Sequence, residues 1–179
     1  MPPALETARL RLRPLLGTDE ADLIALDRDP EVMRYVGSPP GVKTPAETMK
    51  RAQERIQASL RGEQEPLGFW RVEGRSDRVF HGLGALLQMP EGEDIEVAYR
   101  LARRAWGQGI ATEAAGALVG YAFGALALPR VVAVTYPENR ASQRVLEKLG
   151  FAAAGLTDYK GVQVSAYAIT AQAWSVRAG

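Results

Sequence analysis

The sequence contains no cysteine and a single histidine, His81. The missing cysteine excludes a disulfide framework, a zinc-thiolate site and a thiol nucleophile, and it fits a reducing compartment. With one histidine and no thiol, a metal site is not expected. Excess charge of one sign is missing too: 22 Lys and Arg stand against 21 Asp and Glu, a net charge of +1, so nothing calls for nucleic acid or an anionic membrane as partner. No apolar run approaches the length of a membrane span. The opening MPPALETARLRLRPL carries charges where a secretion signal needs an apolar core, so a cytoplasmic protein is expected. No repeat, linker or low-complexity tract interrupts the chain, and 179 residues with 46% hydrophobic content suit one domain over residues 1–179.

What is present is strongly patterned. ARLRLRPL, Ala8 to Leu15, alternates Leu10 and Leu12 with Arg9, Arg11 and Arg13, the period of a half-buried strand with its arginines on a solvated face. Thr18 is placed to cap a helix from Asp19; DPEVMRYVG then offers Asp29 as a cap, Pro30 at the first helical position and Gly37 as a stop. After the turn-rich GSPPGVKTP, Met49, Ala52, Ile56 and Leu60 share one face of a helix over Pro45 to Arg61. PLGFWRVEG, RVFHGLGALLQM and DIEVAYRLA read as an antiparallel meander of three strands, with His81 at a half-buried position. A helix from Gly109 to Leu126 carries a stripe of small residues, RVVAVTY is a buried-type strand, and Gly150 stops the amphipathic helix in ENRASQRVLEKLG. Two strands, near Phe151 to Tyr159 and Gln163 to Thr170, close the pattern.

The helix at Gly109 begins in an unusual way. Trp106-Gly107-Gln108-Gly109 places two glycines directly before it, which frees backbone N–H groups beneath the positive end of the helix dipole and points to an anion such as a pyrophosphate. IEVAYRLARRAWGQGIATEA, then PRVVAVTYPENRASQRVLEKLGF, with RLRLRPL and DPEVMRYVG near the start, together resemble the GNAT acyltransferase family. The branch most resembled includes bacterial ribosomal-protein N-terminal acetyltransferases, and the resemblance covers nearly the whole chain. It implies an α/β (α+β) GNAT fold: a mixed, mostly antiparallel sheet of about seven strands flanked by helices, with a splayed strand pair forming the acyl-CoA cleft. It also implies acetyl-CoA as cosubstrate and no metal. The pyrophosphate would lie on N–H groups of Trp106, Gly107, Gln108, Gly109, Ile110 and Ala111, beside the Thr112 hydroxyl. The family's turn usually begins with Gln or Arg; an aromatic residue such as Trp106 is usual in the branch.

Acetyl transfer to an amine needs a neutral amine, a polarised thioester, a donor near the departing sulfur, and alignment. By the same resemblance Glu96, on the strand before the turn, is the first candidate base, although alternation with Ile95 and Val97 also lets it simply face solvent. Asp158 in LTDYKG is the second candidate base, or else a turn residue before Lys160-Gly161. Many members place a sulfur-protonating tyrosine where this chain has Leu146. Ser142 is the substitute donor, or a residue that only supports the helix cap. Asn139 suits both an N-cap and a contact to pantetheine, whose amides would pair with the strand edge at Tyr99, Arg100 and Leu101. The expected activity is acetyl-CoA-dependent N-acetylation by direct attack on the thioester. The acceptor would be a protein N-terminal α-amine or a small-molecule amine, and the protein a monomer or homodimer. The alternative is an acyl-CoA-binding or sensing domain without catalysis, because the usual tyrosine is missing.

Overall fold

In the computed structural model, which describes residues 2–37, 39–62 and 66–178, the chain runs β1 (Leu5–Glu6), β2 (Leu10–Pro14), α1 (Glu20–Arg28), α2 (Pro30–Met33), α3 (Pro45–Arg61), β3 (Gly68–Gly74), β4 (Phe80–Gln88) and β5 (Ile95–Leu101). It continues through α4 (Ile110–Gly124), β6 (Arg130–Thr135), α5 (Arg140–Leu149), β7 (Ala152–Tyr159), β8 (Val162–Thr170) and α6 (Ala171–Ala178). The strands form one sheet in the order β1-β2-β3-β4-β5-β6-β8-β7, and only β5 and β6 run parallel. The seven expected strands are all present. The eighth, β1, pairs only Leu5 and Glu6 with β2 and is too short to show a period. Ser38, inside the loop after α2, lies outside the described residues.

Alternation along the strands builds two cores, one on each side of the sheet. Leu10, Leu12, Trp70, Val72, Leu86 and Val97 pack against Ala114, Ala115, Leu118 and Val119 of α4. Helix α4 lies close to the sheet because its stripe is small and because β4 has Gly84 beneath it; a Cβ there would stand 2.8 Å from Leu118 Cδ1. On the other face Leu15, Phe80 and Leu83 pack with Leu23, Leu26 and Val32 and with Ala52 and Ile56 of α3. Toward β6, β8 and β7 that second face stays partly open: Val132, Val134, Ala166 and Ala168 are half-buried, and Ala152 to Leu156 are exposed. Among the described residues, no helix is long and apolar enough to cross a membrane.

Three local expectations are corrected. Thr18 does not cap α1; Asp19 instead accepts the Leu16 N–H at 2.8 Å and is itself buried. The inward face of α3 is rotated, with Thr48, Ala52, Ile56 and Ser59 buried and Met49 and Leu60 exposed, because Arg55 is drawn inward to Asp27 at 3.0 Å. The arginines of β2 do not form a solvated face. Arg13 pairs with Asp19 at 2.8 Å and Glu73 at 3.4 Å, Arg11 reaches Glu73, and Arg71 ties Asp19, Asp22 and Glu73 together. Period-2 alternation assigns residues to a face but does not reveal that the next strand offers that face a carboxylate.

Candidate active site

Strands β5 and β6 are bridged at a single pair, Glu96 with Val132, and beyond it they diverge. At the two ends of the β4–β5 ladder, Met89 N–H donates to Asp94 C=O and Ala102 N–H donates to His81 C=O, both at about the ordinary distance. These bonds set the phase of the antiparallel ladder. Glu96, Ala98 and Arg100 therefore direct their backbone groups to β4, whereas Val97, Tyr99 and Leu101 turn theirs toward the gap. The Leu101 carbonyl there accepts the Trp106 indole N–H at 2.9 Å, which leaves the Tyr99 amide and carbonyl and the Leu101 N–H along the open edge. Arg100 takes no part in that edge. Its side chain runs under α1 to Asp27 at 2.8 Å, and burial, then the neighbouring Arg55, bring its pKa down to about 9.

The N-termini of two helices flank the gap. Gly107 (φ +72°) and Gly109 (φ +76°) lie in the left-handed region, where L side chains are strained, and they turn the chain from Trp106 into Ile110. Nothing stands within 4 Å of where a Cβ on Gly107 would be, so an anion has room to reach the backbone of the turn. Gln108 binds the Arg104 carbonyl through its side chain at 2.6 Å, Ile110 is buried, and Ala111 and Thr112 are half-buried in the first turn of α4. Arg9, expected on a solvated face, is anchored here: its guanidinium holds Glu113 at 2.6 Å and the Gln108 carbonyl at 2.9 Å, and its Nη2 would lie 3.4 Å from a Cβ on Gly109. Its separation from the turn in sequence hides that placement. At the second helix, Asn139 accepts the Ser142 N–H at 3.2 Å as the N-cap of α5, and Gly150 closes the helix in the left-handed conformation.

Two hydroxyl contacts link the polar side chains around the gap. Tyr99, opposite Gly84 in the ladder, brings its hydroxyl within 3.0 Å of Ser142 Oγ and 3.2 Å of the Ser142 carbonyl. Burial pushes the phenol up to about 12 against the opposing Ser142 hydrogen bond, so it is neutral and able to donate near neutral pH. Leu146, on the same helix as Ser142, is buried in the core. Glu96 is only 6% exposed and accepts the Tyr159 hydroxyl at 3.1 Å. Burial raises its pKa, partly offset by that hydrogen bond and by the charge of Lys160. Burial and the Glu96 charge together raise the pKa of Tyr159. Asp158 is exposed and accepts the Gly161 N–H at 3.0 Å, the geometry of a turn residue. Just after β6, the Tyr136 hydroxyl donates to the Gly37 carbonyl at 2.7 Å and ties that end of the strand to the loop after α2.

Among the described residues, no group of three or more His, Cys, Asp or Glu could hold a metal ion. The gap has a different donor set: two helix N-termini, an unpaired strand edge, one buried carboxylate and one phenol–serine pair. Such a set can take an anionic chain between the strands and a proton at Glu96.

The "Acetyltransferase (GNAT) domain" family profile matches residues 9–152. The uncharacterized N-acetyltransferase YoaA of Bacillus subtilis (strain 168) is 33% identical over 156 residues, 86% of this chain and 85% of that protein. Among solved structures, a GNAT-family acetyltransferase from Bacillus anthracis superposes with a TM-score of 0.79 at 23% identity, over 95% of this chain and 99% of that one. RimL, a ribosomal L7/L12 alpha-N-protein acetyltransferase in complex with coenzyme A, gives 0.74 at 20% identity, over 94% and 98%. At those identities the two structures speak for the fold, and the family match for the class of chemistry. From Arg9 through Ala152, therefore, this chain is built as a GNAT acetyltransferase domain, and it belongs to that family of acyltransferases.

Proposed function

We propose that the protein is an acetyl-CoA-dependent N-acetyltransferase acting on primary amines by direct transfer. The observation that carries this reading is the β5–β6 gap, open along Tyr99 and Leu101 and closed at Glu96, with the N-termini of α4 and α5 on its flanks. Acetyl-CoA, when bound, supplies an acetyl group activated as a thioester. The turn from Trp106 to Ala111 would hold its pyrophosphate through backbone N–H groups, with Thr112 and the Arg9 guanidinium beside them. The Tyr99 and Leu101 backbone would pair with the pantetheine amides as an added strand does, helped by Asn139.

Glu96 would take the proton of the attacking amine, directly or through one water. Its raised pKa suits that role, because a base works best when its pKa lies near the working pH. Ser142, hydrogen-bonded to Tyr99, would donate to the departing sulfur. A thiol is acidic enough that one or two hydrogen bonds serve where a strong acid would otherwise be needed. Asp158, held in its turn, is the reserve candidate for the base.

The test is coenzyme A thiol release from acetyl-CoA across a panel of short N-terminal peptides and small amines. Release that depends on the amine supports transfer. Binding of acetyl-CoA with no release on any acceptor would replace this reading with that of an acyl-CoA sensor.

A further inference from the structure

Beside Glu96, on the face away from α4 and α5, lies a trough of about 390 Å³. Its floor is Val132 and Val134 of β6 with Ala166 and Ala168 of β8; Leu156, 62% exposed, and Tyr159 form a wall. Two contacts join it to the gap. Val132 is the bridge partner of Glu96, and Tyr159 both lines the trough and hydrogen-bonds the Glu96 carboxylate. Glu91, Asp158 and Lys160 stand exposed on the rim, Lys160 over the Tyr159 ring, while Arg130 is paired with Asp94 at one end.

We infer that this trough binds the acceptor, and that the acceptor is a primary amine carried on an apolar body, with the amine at Glu96 and the body over Val132 and Ala168. The inference rests on the transferase reading above and adds the substrate class to it. The row Glu96, Val132, Ala168 and Ala152 crosses the sheet from strand to strand. A chain lying along it covers three strand spacings of about 4.8 Å each. The floor offers methyl groups and no polar side chain, and the β6 and β8 backbones are paired with each other from Arg130 to Thr135. A peptide lying flat there would leave its own amides without partners, at a cost that an alkyl or aryl body does not incur. On the rim Glu91 and Asp158 outnumber Lys160, and Arg130 offsets Asp94, so one net negative charge remains and slightly favours a ligand that arrives as a cation.

The probe is the series of n-alkylamines from ethylamine to decylamine, followed both by acetyl transfer and by calorimetric binding to the protein with coenzyme A present. The expected result is a kcat/KM that rises about 3- to 4-fold per methylene until the trough is filled, as burial of about 0.8 kcal/mol per CH2 implies. Ala168→Phe and Ala166→Phe, each filling the floor, should flatten that rise, with acetyl-CoA affinity as the check that the variant is folded. If no amine is acetylated, the transferase reading fails, yet chain-length-dependent binding that Ala168→Phe abolishes still supports the trough. A flat series in both measurements would overturn the inference, as would a slope that survives both substitutions. So would sedimentation showing the trough buried between two copies of the chain, with the filled variants dissociating that pair.

Discussion

Glu73 and Glu96 are equally hidden, at 4% and 6% exposure, and their surroundings are opposite. Around Glu73 stand Arg11, Arg13, Arg71 and Arg78, at 3.7, 3.4, 3.0 and 3.3 Å. Glu96 has a phenol on one oxygen, and its pKa is raised by burial. A carboxylate surrounded by guanidinium groups serves to join strands and helices. One that is desolvated and held by a neutral donor remains able to accept and release a proton. Burial alone therefore does not separate a structural acid from a working one; the company of the buried group does.

The largest effect expected from breaking this contrast is on stability. Glu73→Gln leaves several arginines facing a neutral amide, and removing one partner of a buried ion pair costs about 3–5 kcal/mol. A matching fall in the urea midpoint is expected, without a comparable drop in the kcat of the folded fraction. Glu96→Gln should do the reverse, lowering kcat by about 10²-fold or more without loss of stability at neutral pH. The sign follows from the direction of the shift. The folded protein holds this proton more tightly than the unfolded chain, so stability falls as pH rises from the ordinary carboxylate range to the raised value, and glutamine removes that fall.

Ser142→Ala removes the proposed donor to the departing sulfur and should lower kcat by about 10- to 150-fold, the range of one hydrogen bond to a charged group. Because Tyr99 and Ser142 share a hydrogen bond, the Tyr99→Phe and Ser142→Ala losses should combine to less than their product in a double-mutant cycle. Tyr159→Phe sharpens the Glu96 side of the comparison. It deletes the hydrogen bond that favours the charged carboxylate, so the acid limb of kcat/KM should move to higher pH. The smallest change is expected at Arg9, whose guanidinium is about half exposed and therefore screened. Arg9→Gln should raise the KM for acetyl-CoA by about 2- to 5-fold, less so in high salt.

The parts of this site that the sequence makes legible are those that a local rule fixes. Gly107 and Gly109 mark the turn because their φ values need glycine, and Asn139 and Gly150 mark the ends of α5 through capping chemistry. The strands follow from alternation, and so does the face on which Glu96 lies. What stays hidden is who meets whom across the fold. Tyr159 reaches Glu96 from 63 residues away, Tyr99 reaches Ser142 from 43, and Arg9 reaches Glu113 from 104. No periodicity carries that information, so Tyr99 could be expected as a strand edge but not as a phenol aimed at α5. Arg100 shows the converse: its neighbours in the sequence line the gap, while its own groups turn to β4 and to Asp27.

The most direct test of the central claim is the pH dependence of kcat/KM for one α-amine acceptor, measured with the parent protein and with Glu96→Gln. If Glu96 is the base, the parent's rate should fall, at low pH, as the second power of proton concentration, because both amine and carboxylate must lose a proton. The variant should fall only as the first power throughout, so its deficit should be constant where Glu96 is ionised and should narrow as the pH falls through the raised Glu96 titration. Identical first-power profiles of equal height would show that Glu96 carries no proton in the reaction and would contradict the account.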